Sequence, residues 1–145
     1  MVHRKHMVIP DTQIKPDVPN NHFTWAGEYA AEKRPDVIVH IGDFADMHSL
    51  SSYDIGKKCY EGRTYKDDIE SAIEAQQLFF KPIRKEMKKS KWKPRFVLTL
   101  GNHENRINKA IEADRKLSGT IGVDDLKFKE FGWQVIPFLK PICID

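Results

Sequence analysis

Three short runs of apolar and β-branched residues recur along the chain: Met7-Val8-Ile9, Val37-Ile38-Val39-His40-Ile41 and Phe96-Val97-Leu98-Thr99-Leu100. Each is apolar nearly throughout rather than alternating, and each is bounded by Pro, Gly or charged residues, the pattern of strands buried on both faces. Between them the period changes. Phe23, Ala26 and Ala30, and later Ile69, Ala72, Ile73, Gln76, Phe80, Ile83 and Met87, follow steps of three and four, which predicts helices with one face on a core. Strand, helix, strand, helix, strand is the order of an α/β fold, a parallel sheet layered with flanking helices. Asp67 and Asp68 at the start of the second helix, and Lys85, Lys88 and Lys89 near its end, complement the helix dipole. Pro82 removes an amide donor from that helix and predicts two shorter pieces that part near Phe80.

The stretch from Met47 to Tyr65 has no clear period; at about 19 residues it is long for a plain connection, so a functional loop or a hidden short element is expected there. After Asn105 the pattern predicts a helix through Lys116, a turn at Ser118-Gly119-Thr120 and a short helix from Asp124 to Phe131. Two apolar runs follow, Trp133 to Leu139 and Pro141 to Ile144, and the sequence stops at Cys143-Ile144-Asp145 inside what reads as a strand.

A length of 145 residues predicts one domain, residues 1–145, with one sizeable core. With 40% hydrophobic and 31% charged residues, the composition excludes disordered, collagenous and membrane-embedded classes. Cys59 and Cys143 form no Cys-x-x-Cys pair and no disulfide framework, so a reducing, cytoplasmic setting is expected. The opening residues pass into a strand with no apolar signal stretch, and no run approaches the ~18 apolar residues of a spanning helix, so no membrane partner is expected. The net charge of +3 is small but uneven, since eight of the 24 basic residues fall between Lys81 and Arg95 against one acid, Glu86. That segment reads either as a footprint for a nucleic-acid phosphate backbone, with Trp92 among the cations, or as a solvated helix end.

Each predicted strand ends in a polar cluster: Pro10-Asp11-Thr12-Gln13, Gly42-Asp43-Phe44-Ala45-Asp46 and Gly101-Asn102-His103-Glu104. In an open parallel sheet the carboxyl ends of the strands face one crevice, so the three clusters are expected to converge. Asp and Asn oxygens beside a His suit manganese, magnesium, zinc or iron better than a thiol-seeking metal. Gly42 and Gly101 allow sharp turns and a close approach to the backbone.

These residues give the chain a resemblance to the calcineurin-like metallophosphoesterases, whose signature is Asp-x-His, then Gly-Asp-x-x-Asp, then Gly-Asn-His-Asp/Glu. Residues 42–46 and 101–104 match the second and third motifs in type and spacing, while Asp11-Thr12-Gln13 has Gln13 where the family has a histidine. The start at Asp11 and the run Met47 to Tyr53 look like a branch often encoded by bacteriophages, which would place the protein in a host cytoplasm. The resemblance implies the αββα sandwich fold and a centre of two divalent ions, manganese first, with zinc, iron, magnesium or nickel as alternatives. It makes Asp43 the carboxylate bridging the metals, Asp11 a ligand of the first and Asn102 a ligand of the second. His103 becomes the proton donor to the leaving oxygen and Asp46 its orienting partner. The family completes its centre with later histidines, whereas His103 is the last histidine here, so the resemblance covers the amino-terminal half of the usual fold. From that follow expectations of weak metal binding, a sheet face without its cover, and self-association or a partner half that supplies the histidines.

Several residues keep two readings. Asp11 is a ligand or a turn cap, Gln13 a weak carbonyl ligand or a loop residue, and Glu104 a helix cap or part of the chemistry. Arg106 meets a phosphate oxygen or pairs with an acid, and His48 is a candidate for reaching substrate. His40, inside a strand, reads as a core histidine with a hydrogen-bond partner; His3, His6 and His22 read as surface residues. The function that follows is cleavage of phosphate monoesters or diesters, nucleic acid among the substrates. The alternative is a catalytically silent domain that binds nucleic acid or protein.

Overall fold

A computed structural model describes residues 3–144; Met1, Val2 and Asp145 lie outside it. The three apolar runs form β1 (His6–Ile9), β2 (Val37–His40) and β3 (Arg95–Thr99). Within the run from Trp133 to Leu139 a fourth strand forms, β4 (Gln134–Ile136). All four are parallel, in the order β1-β2-β3-β4, with Val39 opposite both Val8 and Val97. The connections carry α1 (Asn21–Lys33), α2 (Tyr65–Lys89), α3 (Asn105–Ala113) and the one-turn α4 (Phe128–Phe131). The fold is therefore α/β, a parallel sheet flanked by helices, as the alternating pattern predicts. Among the described residues no helix is long and apolar enough to cross a membrane.

The helices share one face of the sheet. Phe23 and Ala30 of α1, Ala72, Ala75, Phe79, Phe80 and Ile83 of α2, and Ile107, Leu126 and Phe128 bury a common core against Ile9, Ile38 and Leu98. Trp133 closes it, stacked on Phe79 at 5.8 Å between ring centres. Contrary to the expectation of a break at Pro82, α2 is one continuous helix. An interior proline costs about 3 kcal/mol. Burial of a large apolar side chain returns about 1.5–3 kcal/mol each, so Phe79, Phe80 and Ile83 around the proline offset that cost. Gly27 brings α1 against the same turn, where a Cβ would collide with the Phe79 carbonyl and the Pro82 ring.

On the opposite face Val37, Val39 and Val97 are covered by Ile136, Ile142 and Ile144. The expected strand at 141–144 is not formed. Pro137 and Pro141 donate no amide, Lys140 N–H closes a turn on the Pro137 carbonyl at 3.0 Å, and Arg95 holds the carbonyls of Cys143 and Ile144. The segment crosses the sheet instead, and the apolar surface left open on this face lies at Val8 and Ile41, 57% and 54% exposed. Burial on both faces, expected for every strand, holds for β2 throughout but not for β1, which is an edge strand. The stretch from Met47 to Tyr65 contains two 3₁₀ turns, His48–Leu50 and Lys58–Tyr60. Side chains tie them down: the Tyr60 hydroxyl donates to the Ser49 carbonyl at 2.6 Å, and Arg63 donates to the His48 carbonyl and to Asp54. After Asn105 the helix ends at Ala113 and a 3₁₀ turn, Arg115–Leu117, follows; a second, Val123–Leu126, precedes α4.

Candidate active site

The loops after β1, β2 and β3 meet at the carboxyl end of the sheet. The first is zipped to the second by backbone: Gln13 N–H to the Asp43 carbonyl, Ile14 N–H to the Phe44 carbonyl and Asp46 N–H to the Ile14 carbonyl, each 2.8 Å. The second is clamped to the third by Glu104, which is fully buried. Its Oε1 accepts the Ala45 amide at 2.9 Å, and its Oε2 accepts the amides of Asp43 at 3.1 Å and Gly101 at 2.7 Å. Burial raises the Glu104 pKa, opposed by the amides that favour its charged form. The end of the third motif is the sequence signal for Glu104 as a cap or a reacting group; one of its donors, Gly101, is three residues away, and the other two, Asp43 and Ala45, come from a loop about sixty residues away.

Asp43 sits with φ of 51°, Asp11 with 25° and Gln13 with 43°, a left-handed backbone that side-chain-bearing residues rarely adopt. Such strain costs of order 1–3 kcal/mol per residue and persists where surrounding bonds enforce it, here the zipper and the clamp. Gly101 has no Cβ for the same packing reason: one would fall on Asp43 Oδ1 and the Asp43 amide. Asp43 Oδ1 accepts the His103 amide at 3.0 Å, which leaves Oδ2 as its open oxygen. Asp11 and Asn102 are exposed on the flanking loops, and Gln13 is exposed with its amide donating to Asp11 Oδ1 at 2.8 Å.

His103 is held from below. Its Nδ1 lies 2.8 Å from Asp46 Oδ1 and 2.9 Å from the Asp46 carbonyl. Both partners are acceptors, so Nδ1 carries the hydrogen and Nε2 is the ring nitrogen left for exchange. Arg106 donates to the same Asp46 backbone carbonyl at 2.8 Å and lies 3.7 Å from the Asp46 carboxylate, the acid-pairing one of its two readings. His48 turns away to Asp68, with Nε2 3.2 Å from Oδ1. Asp68 is fully buried, accepts Ser49 through both its amide and its hydroxyl, and has its pKa raised by that burial. Sequence reasoning gave Asp68 only a dipole role; its place on the stripe Asp68, Ala72, Ala75, Phe79 was the signal that it faces the core.

A match to the family model described as calcineurin-like phosphoesterase extends over residues 6–139. The chain belongs to the calcineurin-like phosphoesterase family. Comparisons with curated proteins and with solved structures returned no match. Members of this family are in general metal-dependent phosphoesterases. Among the described residues, no group of three or more His, Cys, Asp or Glu is arranged to hold a metal ion. The available donors are two carboxylates, Asp11 and Asp43, and two amides, Asn102 and Gln13. An all-oxygen set of this size fits a single hard divalent cation with water in the remaining positions, and is too small to enclose two.

Beneath the site His40 is fully buried. Nδ1 accepts the Gly42 amide at 3.2 Å, so Nε2 donates to the Thr12 hydroxyl at 3.0 Å, which donates to the Phe44 carbonyl. Burial lowers its pKa to about 4, against a smaller opposing pull from Asp11. The unfolded chain takes up this proton near pH 6.5 and the folded chain only near 4, so stability is lost as the pH falls through that window. Between pH 7 and 4.5 this residue should remove about 2–3 kcal/mol. Asp68 and Glu104, raised, act in the opposite sense, so the comparison is with His40→Gln, which shares them. Urea unfolding should show the parent losing that much more than the variant; equal pH slopes would refute the assignment.

Proposed function

We propose that the chain hydrolyses phosphate esters with His103 as the proton donor and Asp43 as the main anchor of a divalent cation. The observation that carries the reading is the contact of His103 Nδ1 with Asp46 at 2.8 Å, beside an Asp43 whose second oxygen is open. Asp11, Asp43 and Asn102 would hold the cation, manganese first among the candidates, with Gln13 as a weak fourth donor. A bound divalent cation supplies charge stabilisation for the phosphate oxygens and a more acidic water. The protein's own part is orientation: Asp46 holds the Nδ1–H and stabilises the imidazolium, whose Nε2–H passes its proton to the departing alkoxide and leaves the neutral ring. The Glu104 clamp keeps Asp43 and His103 in register. A second cation, as in the dinuclear centre implied by the family, requires donors beyond these four. Release of a chromogenic alcohol from generic phosphomonoester and phosphodiester substrates should require added manganese and should disappear on chelation. Hydrolysis that persists without metal would overturn the reading.

A further inference from the structure

The basic residues between Lys81 and Arg95 end up at the opposite end of the molecule from the active site. Helix α2 begins at Tyr65, its first turn carrying the Asp68 that meets His48 of the loop after β2, and returns to the amino end of β3. At 1.5 Å per residue Lys81 already lies about 24 Å along it from Tyr65. Lys81, Lys85, Lys88 and Lys89 are exposed and, with Arg84 and Gln77, line one groove along the helix; Lys91 and Lys93, also exposed, follow in the chain just past the helix end. None of the six lysines has an acidic partner within 4 Å among the described residues. The one acid of the segment, Glu86, is held by Arg34. Arg84 is fixed, its guanidinium over the rings of Phe80 and Phe131 and one nitrogen donating to the Phe131 carbonyl.

A helix end needs two or three cations to complement its dipole, all within the last turn. Here the charge runs for more than two turns and continues beyond the helix, with no partner on the protein. We infer that this stripe is a docking surface for the phosphate backbone of double-stranded nucleic acid, separate from the hydrolytic site. A duplex is favoured over a single strand because single-strand binders add stacking platforms for the bases. The stripe offers none, since Trp92 packs on the core and its indole N–H donates to the Pro35 carbonyl at 2.7 Å. Recognition through lysines alone is indifferent to sequence and sensitive to salt.

The test is fluorescence anisotropy of a labelled 20-base-pair DNA duplex, titrated with the full chain in EDTA so that hydrolysis plays no part. Four to six phosphate contacts predict a slope of log K against log salt of about −3.5 to −5.5. The triple variant Lys81→Gln, Lys85→Gln, Lys88→Gln should bind at least tenfold more weakly at low salt and lose about 2–3 of that slope. A second triple, Lys89→Gln, Lys91→Gln, Lys93→Gln, lies at and beyond the helix end and repeats the test if the first is destabilised. Lys57→Gln, Lys58→Gln, Lys66→Gln removes the same charge elsewhere and should change affinity less than twofold. No binding by the parent chain, equal loss in the control, or binding to phosphatidylserine vesicles but not to the duplex would overturn the assignment. Hydrolysis of a small phosphodiester should be unchanged in both stripe variants, so failure here is distinguishable from failure of the active-site reading.

Discussion

His103→Ala should lower the turnover of phosphate esters by roughly 10²–10⁴ while manganese affinity stays within about twofold, because a proton donor contributes to the rate and makes no metal bond. Asp43→Ala should do the reverse at the level of binding and abolish metal uptake. The separation follows from the geometry: His103 reaches Asp43 only through its backbone amide, while its ring is engaged with Asp46. Asp46→Asn should fall between, since the amide still accepts from Nδ1 but no longer stabilises a charged imidazolium. Calorimetry with manganese beside single-turnover kinetics separates the effects. Equal metal loss in His103→Ala and Asp43→Ala would show that the division of roles is wrong.

The largest stability effect is expected at Glu104. Glu104→Ala leaves the amides of Asp43, Ala45 and Gly101 without their acceptor in a buried setting. At about 1–3 kcal/mol for each unsatisfied donor, the three together cost roughly 3–9 kcal/mol, comparable to the whole stability of many domains. The variant should unfold at much lower denaturant, or fold with the second and third loops apart and no hydrolysis. Glu104→Gln keeps one acceptor oxygen and sets an N–H₂ against backbone donors, so it should be nearly as damaging. A loss below about 1 kcal/mol in Glu104→Ala would mean that water replaces the carboxylate at no cost.

What was legible in the sequence was local. The run Val37 to Ile41 followed by Gly42 and Asp43 declares a buried strand and the turn after it, and Gly101-Asn102-His103 repeats the device 59 residues on. The parallel order then brings the loops together without further information. Features that depend on remote partners were not legible. The continuity of α2 through Pro82 rests on core burial around that turn and on α1 at Gly27, the path of residues 137–144 on Arg95, and the setting of His48 on an aspartate twenty residues away. Glu104 illustrates the limit best: its residue type was visible, but three amides within 3.1 Å belong to the fold.

The most direct test of the site is a crystal structure of the chain grown with manganese, using the anomalous signal to locate the ion. The account predicts a peak bonded to Asp43 Oδ2 at about 2.0–2.6 Å, the range of hard cations with oxygen ligands, with Asp11 or Asn102 in the same shell and His103 outside it. Manganese bound elsewhere, or bound here without Asp43, would contradict it.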